Sequence, residues 1–173
     1  MRLGLIFLLL CALLHANRDA GPYIGVGYST ATTKSDYYNF QDDSAKGYLL
    51  YAGAYINKYF CVEMEYNEKM TYTLQNSDTL DIKYIDINTQ AHYPIFNNII
   101  DPYVKFGIAQ IYTSTSDGFS FLYGLGVRYL YKEMLGLKIG YNYYDAGIDT
   151  TNNKSADKKI HTAYGFVAIE VQF

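Results

Sequence analysis

Phe60-Cys61-Val62-Glu63-Met64-Glu65-Tyr66-Asn67 is the stretch whose reading decides the fold. Phe60, Val62, Met64 and Tyr66 are apolar, and Cys61, Glu63, Glu65 and Asn67 between them are small or polar. Successive side chains of a strand point to opposite faces, so period two gives this segment one apolar and one polar face. A helix would scatter the same groups around its circumference.

The alternation continues on both sides. Toward the C-terminus, Ile85, Ile87, Thr89, Ala91 and Tyr93 alternate with Tyr84, Asp86, Asn88, Gln90 and His92. Val104, Phe106 and Ile108 then alternate with Lys105, Gly107 and Ala109. Phe121, Tyr123, Leu125, Val127 and Tyr129 oppose Leu122, Gly124, Gly126 and Arg128. Leu135, Leu137, Ile139, Tyr141 and Tyr143 oppose Gly136, Lys138, Gly140 and Asn142. The chain closes with Val167, Ile169, Val171 and Phe173 against Phe166, Ala168, Glu170 and Gln172. Toward the N-terminus, Ile24, Val26 and Tyr28 oppose Gly25 and Gly27. The segment 47–56 is apolar on both faces, which leaves its phase open.

This is an all-β chain of about eight strands, each roughly 9–12 residues, the length that crosses a hydrocarbon core when tilted. Short turns at Asn57-Lys58, Pro94–Pro102 and Lys132-Glu133 alternate with polar connections over 31–46, 67–79 and 145–158, read as long outward loops. Thr113–Gly118 is read as a further loop. Aromatics gather near strand ends: Tyr55, Tyr59, Phe60, Tyr93, Phe96, Tyr103, Tyr129 and Tyr131 beside short turns, and Tyr28, Tyr66, Tyr112, Phe119, Tyr143 and Tyr144 beside long ones. Girdles of that kind mark the two interfaces of a membrane. The expected architecture is a closed antiparallel up-and-down transmembrane β-barrel. Its rival is a soluble lipocalin-like barrel with the apolar face inward and an apolar ligand inside, since either gives period two.

Residues 1–16 read as a secretory signal. Arg2 is the positive n-region, Leu3–Leu14 the apolar core, and Leu14-His15-Ala16 the cleavage site, with a cut after Ala20 as the second choice. The barrel domain then occupies 17–173. Loss of Arg2, with no acid in the segment, takes the net charge from −3 to −4. Nothing basic enough for a nucleic-acid footprint is present. Only Cys61 survives cleavage, so no intramolecular disulfide is expected, and an inward Cys61 reads as a packing residue.

By phase, Glu63, Glu65, Asp86 and Glu170 face Lys105, Arg128 and Lys138 inside the barrel. Buried charges are costly unless paired, and an eight-stranded barrel is just wide enough for its own side chains. An ion-paired plug is the expectation, and a narrow gated pore lined by the same residues the alternative. Catalysis by an outer-membrane hydrolase or lipid-modifying enzyme would need a His-centred constellation. His92 falls beside a short turn, and His161 lies near Asp145, Asp149 and Ser155 with no enzyme motif around it. No catalytic, cofactor-binding or metal-binding residue is assigned. The segment Asp145–Asp157 lacks the spacing of an EF-hand loop, and Asn153-Lys154-Ser155 is a chance glycosylation sequon.

Tyr23-Ile24-Gly25-Val26-Gly27-Tyr28, Tyr123-Gly124-Leu125-Gly126-Val127-Arg128-Tyr129 and the closing Val167–Phe173 resemble the outer-membrane β-barrel superfamily, in particular its small OmpA-like and OmpX-like members. The resemblance implies the outer membrane of a Gram-negative bacterium, a monomer surrounded by lipid, and no cofactor. It implies that Val167, Ile169, Val171 and Phe173 form the signal read by the barrel-assembly machinery. It leaves no room for a peptidoglycan-binding domain, and it makes the polar loops the place for an extracellular ligand.

Overall fold

The computed structural model describes residues 20–36, 38–114, 116–131, 134–149 and 158–173. Each alternating segment is a strand: β1 (Gly21–Ser35), β2 (Phe40–Asp42), β3 (Ser44–Asn57), β4 (Phe60–Leu74), β5 (Thr79–His92), β6 (Ile100–Thr113), β7 (Asp117–Tyr131), β8 (Leu135–Asp149) and β9 (Lys158–Gln172). Apart from the short β2, each pairs antiparallel with its chain neighbours. Pairing of β1 with β9, from Tyr23↔Gln172 to Ser35↔Ile160, closes the sheet into an eight-stranded barrel without free edges. The short β2 adds to the rim of β4 through Phe40↔Leu74.

The apolar set faces out. Ile24, Leu50, Met64, Ile87, Phe106, Leu125, Ile139 and Ile169 are all exposed, and Ile169 is 63% so. This excludes the lipocalin-like arrangement. A continuous exposed belt of this size requires hydrocarbon around it. The ambiguous β3 resolves with Tyr48, Leu50, Ala52 and Ala54 outward, and Leu49, Tyr51 and Tyr55 inward. Packing decides it: an ideal Cβ at Gly25 would fall 2.1 Å from the Tyr51 ring, so that glycine makes room for an inward Tyr51.

The eight strands of the barrel wall are 14 or 15 residues long, which corrects the expected 9–12. Most of 31–46, 67–79 and 145–149 is strand rather than loop. The β4–β5 connection is only Gln75–Asp78, closed by Leu74 N–H donating to Asp78 O at 2.8 Å. Thr113–Gly118 shrinks likewise, because β7 already starts at Asp117. The expectations for 1–16 with its cleavage site, for Lys132-Glu133, for 150–157 and for Ser155 and the sequon lie outside the described residues.

The reason is an inversion of polarity along each strand. On β5 the outward residues Ile85 and Ile87 are apolar and the inward Asp86 and Asn88 polar, whereas further up Asp81 and Lys83 point outward and Leu80 and Ile82 inward. On β4 the change falls at the bulge of Glu68 and Lys69, beyond which Met70 and Tyr72 are buried. On β5 the period is unbroken, and on β4 the bulge shifts it by one residue. Only the solvent outside changes, from lipid to water, so the same β-structure is apolar-out below and apolar-in above.

Candidate functional site: a charged level in the lumen

The inward positions of the lower half bring the acids and bases together at the barrel axis. Lys105 Nζ on β6 lies 3.0 Å from Glu63 Oε1 and 2.7 Å from Glu65 Oε2, both on β4. Lys138 Nζ on β8 reaches Glu63 Oε2 at 2.6 Å. Around the ring of eight principal strands β4 and β8 are opposite walls, so this ion pair spans the full bore. Tyr23 OH and Gln90 Nε2 also donate to Glu63, at 2.9 and 2.7 Å. The Lys138 ammonium lies over the rings of Tyr51 and Tyr103, 4.7 and 5.0 Å from their centroids. Every charge is therefore compensated by an opposite charge, a dipole or an aromatic face, as burial demands.

A second group sits lower, toward the short turns. Arg128 on β7 makes a 2.6 Å contact from Nε to Glu170 Oε1 on β9, donates from Nη2 to Gln172 Oε1 at 2.6 Å, and covers the Tyr55 ring. His92 Nδ1 lies 2.9 Å from Asp101 Oδ2, and its Nε2 is 3.4 Å from Cys61 Sγ. Cys61 thus sits in a polar relay instead of being a simple packing residue. Its sulfur is fully buried beneath Tyr23, so the Cys-His-Asp order is not a reachable nucleophile.

Above the charges the lumen is filled by tyrosine and aliphatic side chains. Tyr84, Tyr144 and Tyr164 stack in sequence, with centroids 4.5 and 5.5 Å apart. Tyr84 OH donates to Thr162 Oγ1 at 2.6 Å, linking β5 to the opposite β9, and Tyr144 OH donates to Asp86 Oδ2 at 2.7 Å.

All seven residues expected inside are inside and buried: Glu63, Glu65, Asp86, Lys105, Arg128, Lys138 and Glu170. Asp86 departs from the expected ion pairing, because its carboxylate is held by Tyr144 and Asn88. Asp101 falls within the expected turn Pro94–Pro102, yet β6 begins at Ile100 and turns Asp101 inward. Its phase with Lys105 carried that signal. Three residues assigned to the girdles, Tyr55, Tyr103 and Tyr144, point into the lumen, as strand parity requires. His161 is on the outward face of β9, with Nδ1 3.2 Å from Asp145 Oδ1 of β8. Val167 and Ile169 face outward, and Phe173 N–H donates to Pro22 O at 2.9 Å.

A family model described as outer membrane protein beta-barrel domain matches residues 3–166. The chain belongs to this family. Among solved structures it is similar to the outer membrane protein OprG of Pseudomonas aeruginosa (15% identity, 90% of this chain and 97% of that one, TM-score 0.66). It is also similar to Ail, the attachment invasion locus protein of Yersinia pestis (18%, 90% and 99%, TM-score 0.59). A third similar structure is Neisserial surface protein A (19%, 89% and 99%, TM-score 0.61). At these identities the likeness shows the fold alone. No curated protein sequence matches. The family places the chain in the outer membrane of a Gram-negative bacterium.

Proposed function

We propose that the protein is a non-conducting, surface-exposed barrel that holds its upper hairpins rigidly above the outer face of the membrane for an extracellular partner. The observation that supports this best is the Lys138–Glu63 pair joining opposite walls through the axis, with the tyrosine layer above it. An ion would have to break buried pairs to pass, which disfavours the pore reading. The short turns at one end and the long hairpins at the other orient the barrel, hairpins outward.

Ail has been solved in complex with the heparin analogue sucrose octasulfate. The upper hairpins of the present chain favour a different partner. Asp36, Asp42, Asp43, Glu68, Asp78, Asp81, Asp117 and Asp145 outnumber Lys34, Lys46, Lys69, Lys83 and Lys159 there. A neutral or cationic surface suits this crown better than a polyanion. In the same reading residues 1–16 are removed on export, the barrel is monomeric in lipid, and Val167, Ile169, Val171 and Phe173 serve assembly. No catalytic role is included.

Two measurements test it. Liposomes containing the folded protein should show ion flux no greater than empty ones, and clear flux would refute the closed lumen. Shortening the β4–β5 tip at Gln75–Asp78 should leave the barrel folded and lower binding of cells bearing the protein to host surfaces. Unchanged binding after all upper tips are shortened would remove the partner reading.

A further inference from the structure

The upper rim of the barrel carries a cleft that the lumen reading leaves unused. It forms where Tyr38 and Asn39, between β1 and β2, meet the β4–β5 tip. The Phe40↔Leu74 pairing and the Gln75 N–H, which donates to Asn39 O at 2.9 Å, hold the two segments together. Between them Tyr38, Asn39, Leu74, Gln75 and Asn76 line a space of about 570 Å3, within the size range of small-molecule sites. Tyr38 is half-buried, whereas Asn39, Gln75 and Asn76 are exposed.

The cleft is braced from below. Tyr38 lies against Phe40, and Phe40 against the fully buried Tyr72, with centroids 6.4 and 5.6 Å apart. This aromatic run ties the rim to the upper core, and the Tyr38 N–H donates to Ser35 Oγ at 3.3 Å. Opposite, Asn76 Nδ2 donates to Asp78 Oδ2 at 2.6 Å and its Oδ1 accepts from the Asp78 N–H at 3.2 Å, which fixes the tip. The side-chain amides of Asn39 and Gln75, by contrast, make no hydrogen bond among the described residues. A ring and two free amides thus stand on a frame that needs little further ordering when a ligand docks.

The lining sets the chemistry. Among the described residues no charged side chain lines the cleft, and the Asp78 carboxylate stands behind Asn76. An anionic ligand gains nothing there. An extended peptide needs a free backbone edge, yet the N–H groups of Leu74 and Gln75 are already given to Asp78 O and Asn39 O. What remains are side-chain amides, each offering donors and an acceptor, as a sugar hydroxyl does. The Tyr38 ring, with Leu74 beside it, offers apolar area to the C–H face of a pyranose. We propose that this cleft binds one neutral pyranose of a surface glycan, its C–H face on Tyr38 and its hydroxyls on Asn39 and Gln75. The inference rests on the outward orientation of the hairpins proposed above and names the chemistry of their partner.

The test immobilises the folded full chain in lipid nanodiscs and passes over it soluble polymers carrying β-galactose, N-acetyl-β-glucosamine, sialic acid, a sulfated heparin disaccharide or an uncharged peptide. Display on a polymer turns weak single-site binding into measurable retention. The expected result is retention of one or both neutral sugars at about ten times the level of the other three probes. Tyr38→Ala should lower that retention about tenfold, while Tyr38→Phe, which keeps the ring, should preserve it. The double variant Asn39→Ala/Gln75→Ala changes only exposed side chains and should also lower retention about tenfold. It keeps the test decisive should Tyr38→Ala not fold, which unboiled gel mobility reports. Equal retention of the sialylated, sulfated or peptide polymer, indifference to these variants, or no retention of either neutral sugar would each overturn the proposal. If neither neutral sugar is retained while shortened tips still lower cell binding, the cleft proposal falls and the surface-partner reading stands. If the sugars are retained but cell binding is unchanged, the surface-partner reading falls and the cleft stands.

Discussion

Lys105→Met isolates what the charged level contributes to stability. The ammonium bridges Glu63 and Glu65 at 3.0 and 2.7 Å, with Lys105 and Glu63 fully buried. Its removal leaves those two acids in unequal positions. Glu63 keeps Lys138 at 2.6 Å and donors from Tyr23 and Gln90. Glu65 keeps, among the described residues, the amides of Asn67 at 3.0 Å and Asn142 at 3.5 Å. Methionine is close to lysine in length and volume, so little cavity is created and the loss is electrostatic. Removing one partner of a buried ion pair costs about 3–5 kcal/mol, or roughly two to four powers of ten in the unfolding constant. Adding Glu65→Gln removes the orphaned charge and should restore more than half of the loss. Urea unfolding in lipid vesicles at neutral pH measures both effects. The chain's 21 tyrosines and lack of tryptophan make tyrosine fluorescence the probe, with unboiled gel mobility as a second. A Lys105→Met variant within about 1 kcal/mol of the parent, the range of a solvent-screened pair, would refute the reasoning. So would a double variant no more stable than the single.

Lys138→Met should be milder than Lys105→Met, because Glu63 retains Lys105, and the same unfolding series ranks the two. Gly107→Ala should destabilise by about 1–3 kcal/mol, since its Cβ would meet Ile87 O at 2.4 Å. Gly147→Ala, with nothing within 4 Å, should be neutral or stabilising, and melting of the two variants side by side decides it. At the β4–β5 tip the Thr71 hydroxyl donates to Asp81 at 2.7 Å and Lys69 lies 3.0 Å away, which together hold the Asp81 carboxyl below its ordinary value. A lowered folded value gives stability that is present above the unfolded value, about 3.9, and is lost as pH falls through the folded one. Amide exchange at this tip, taken relative to Asp81→Asn, should therefore quicken on acidification below about pH 4 and not between pH 5 and 8. The mass of the protein from outer membranes should begin at Asn17 or Gly21, and a full-length mass would remove the cleaved-signal reading.

Within the membrane the fold was legible because lipid makes the alternation chemically sharp. Ile85 and Ile87 against Asp86 and Asn88 put the two sets on opposite faces of one strand, and the structure places the apolar pair outward and the polar pair inward. Above the membrane the same period runs through residues whose composition reads as loop. Thr71, Thr73, Asp81 and Lys83 are polar because water is outside, while Met70, Tyr72, Leu80 and Ile82 between them are core. A search for apolar-out alternation misses this half, and a search for alternation of either sign would have found it. The lumen residues were readable from parity, but their partners were not. Whether Lys138 meets Glu63 or Glu170 depends on strand tilt and on which walls oppose each other. Asp101 and its contact with His92 escaped because Pro102 drew the boundary of the turn three residues too far.

The division of the lumen into a charged lower part and a tyrosine-rich upper part has its own physical logic. Within the membrane band the wall faces lipid, so the outward side chains must be apolar and the inward ones are left to supply polarity. Salt bridges across the bore then tie opposite walls with directional contacts that an aliphatic filling would not provide. Above the band the wall faces water, and an ordinary apolar core becomes available. The hydroxyls of Tyr84 and Tyr144 are directed to Thr162 and Asp86, so each stacked ring joins the upper core to a polar partner. Asp86 lies at that junction, taking a tyrosine from the upper part and Asn88 from the lower in place of an ion pair. This arrangement makes the hairpins continuous with the barrel wall instead of loops set on top of it. Among the described residues, β5 and β7 cross the membrane surface as unbroken strands. A binding surface built on them is preorganised, and less ordering entropy is lost when a partner docks.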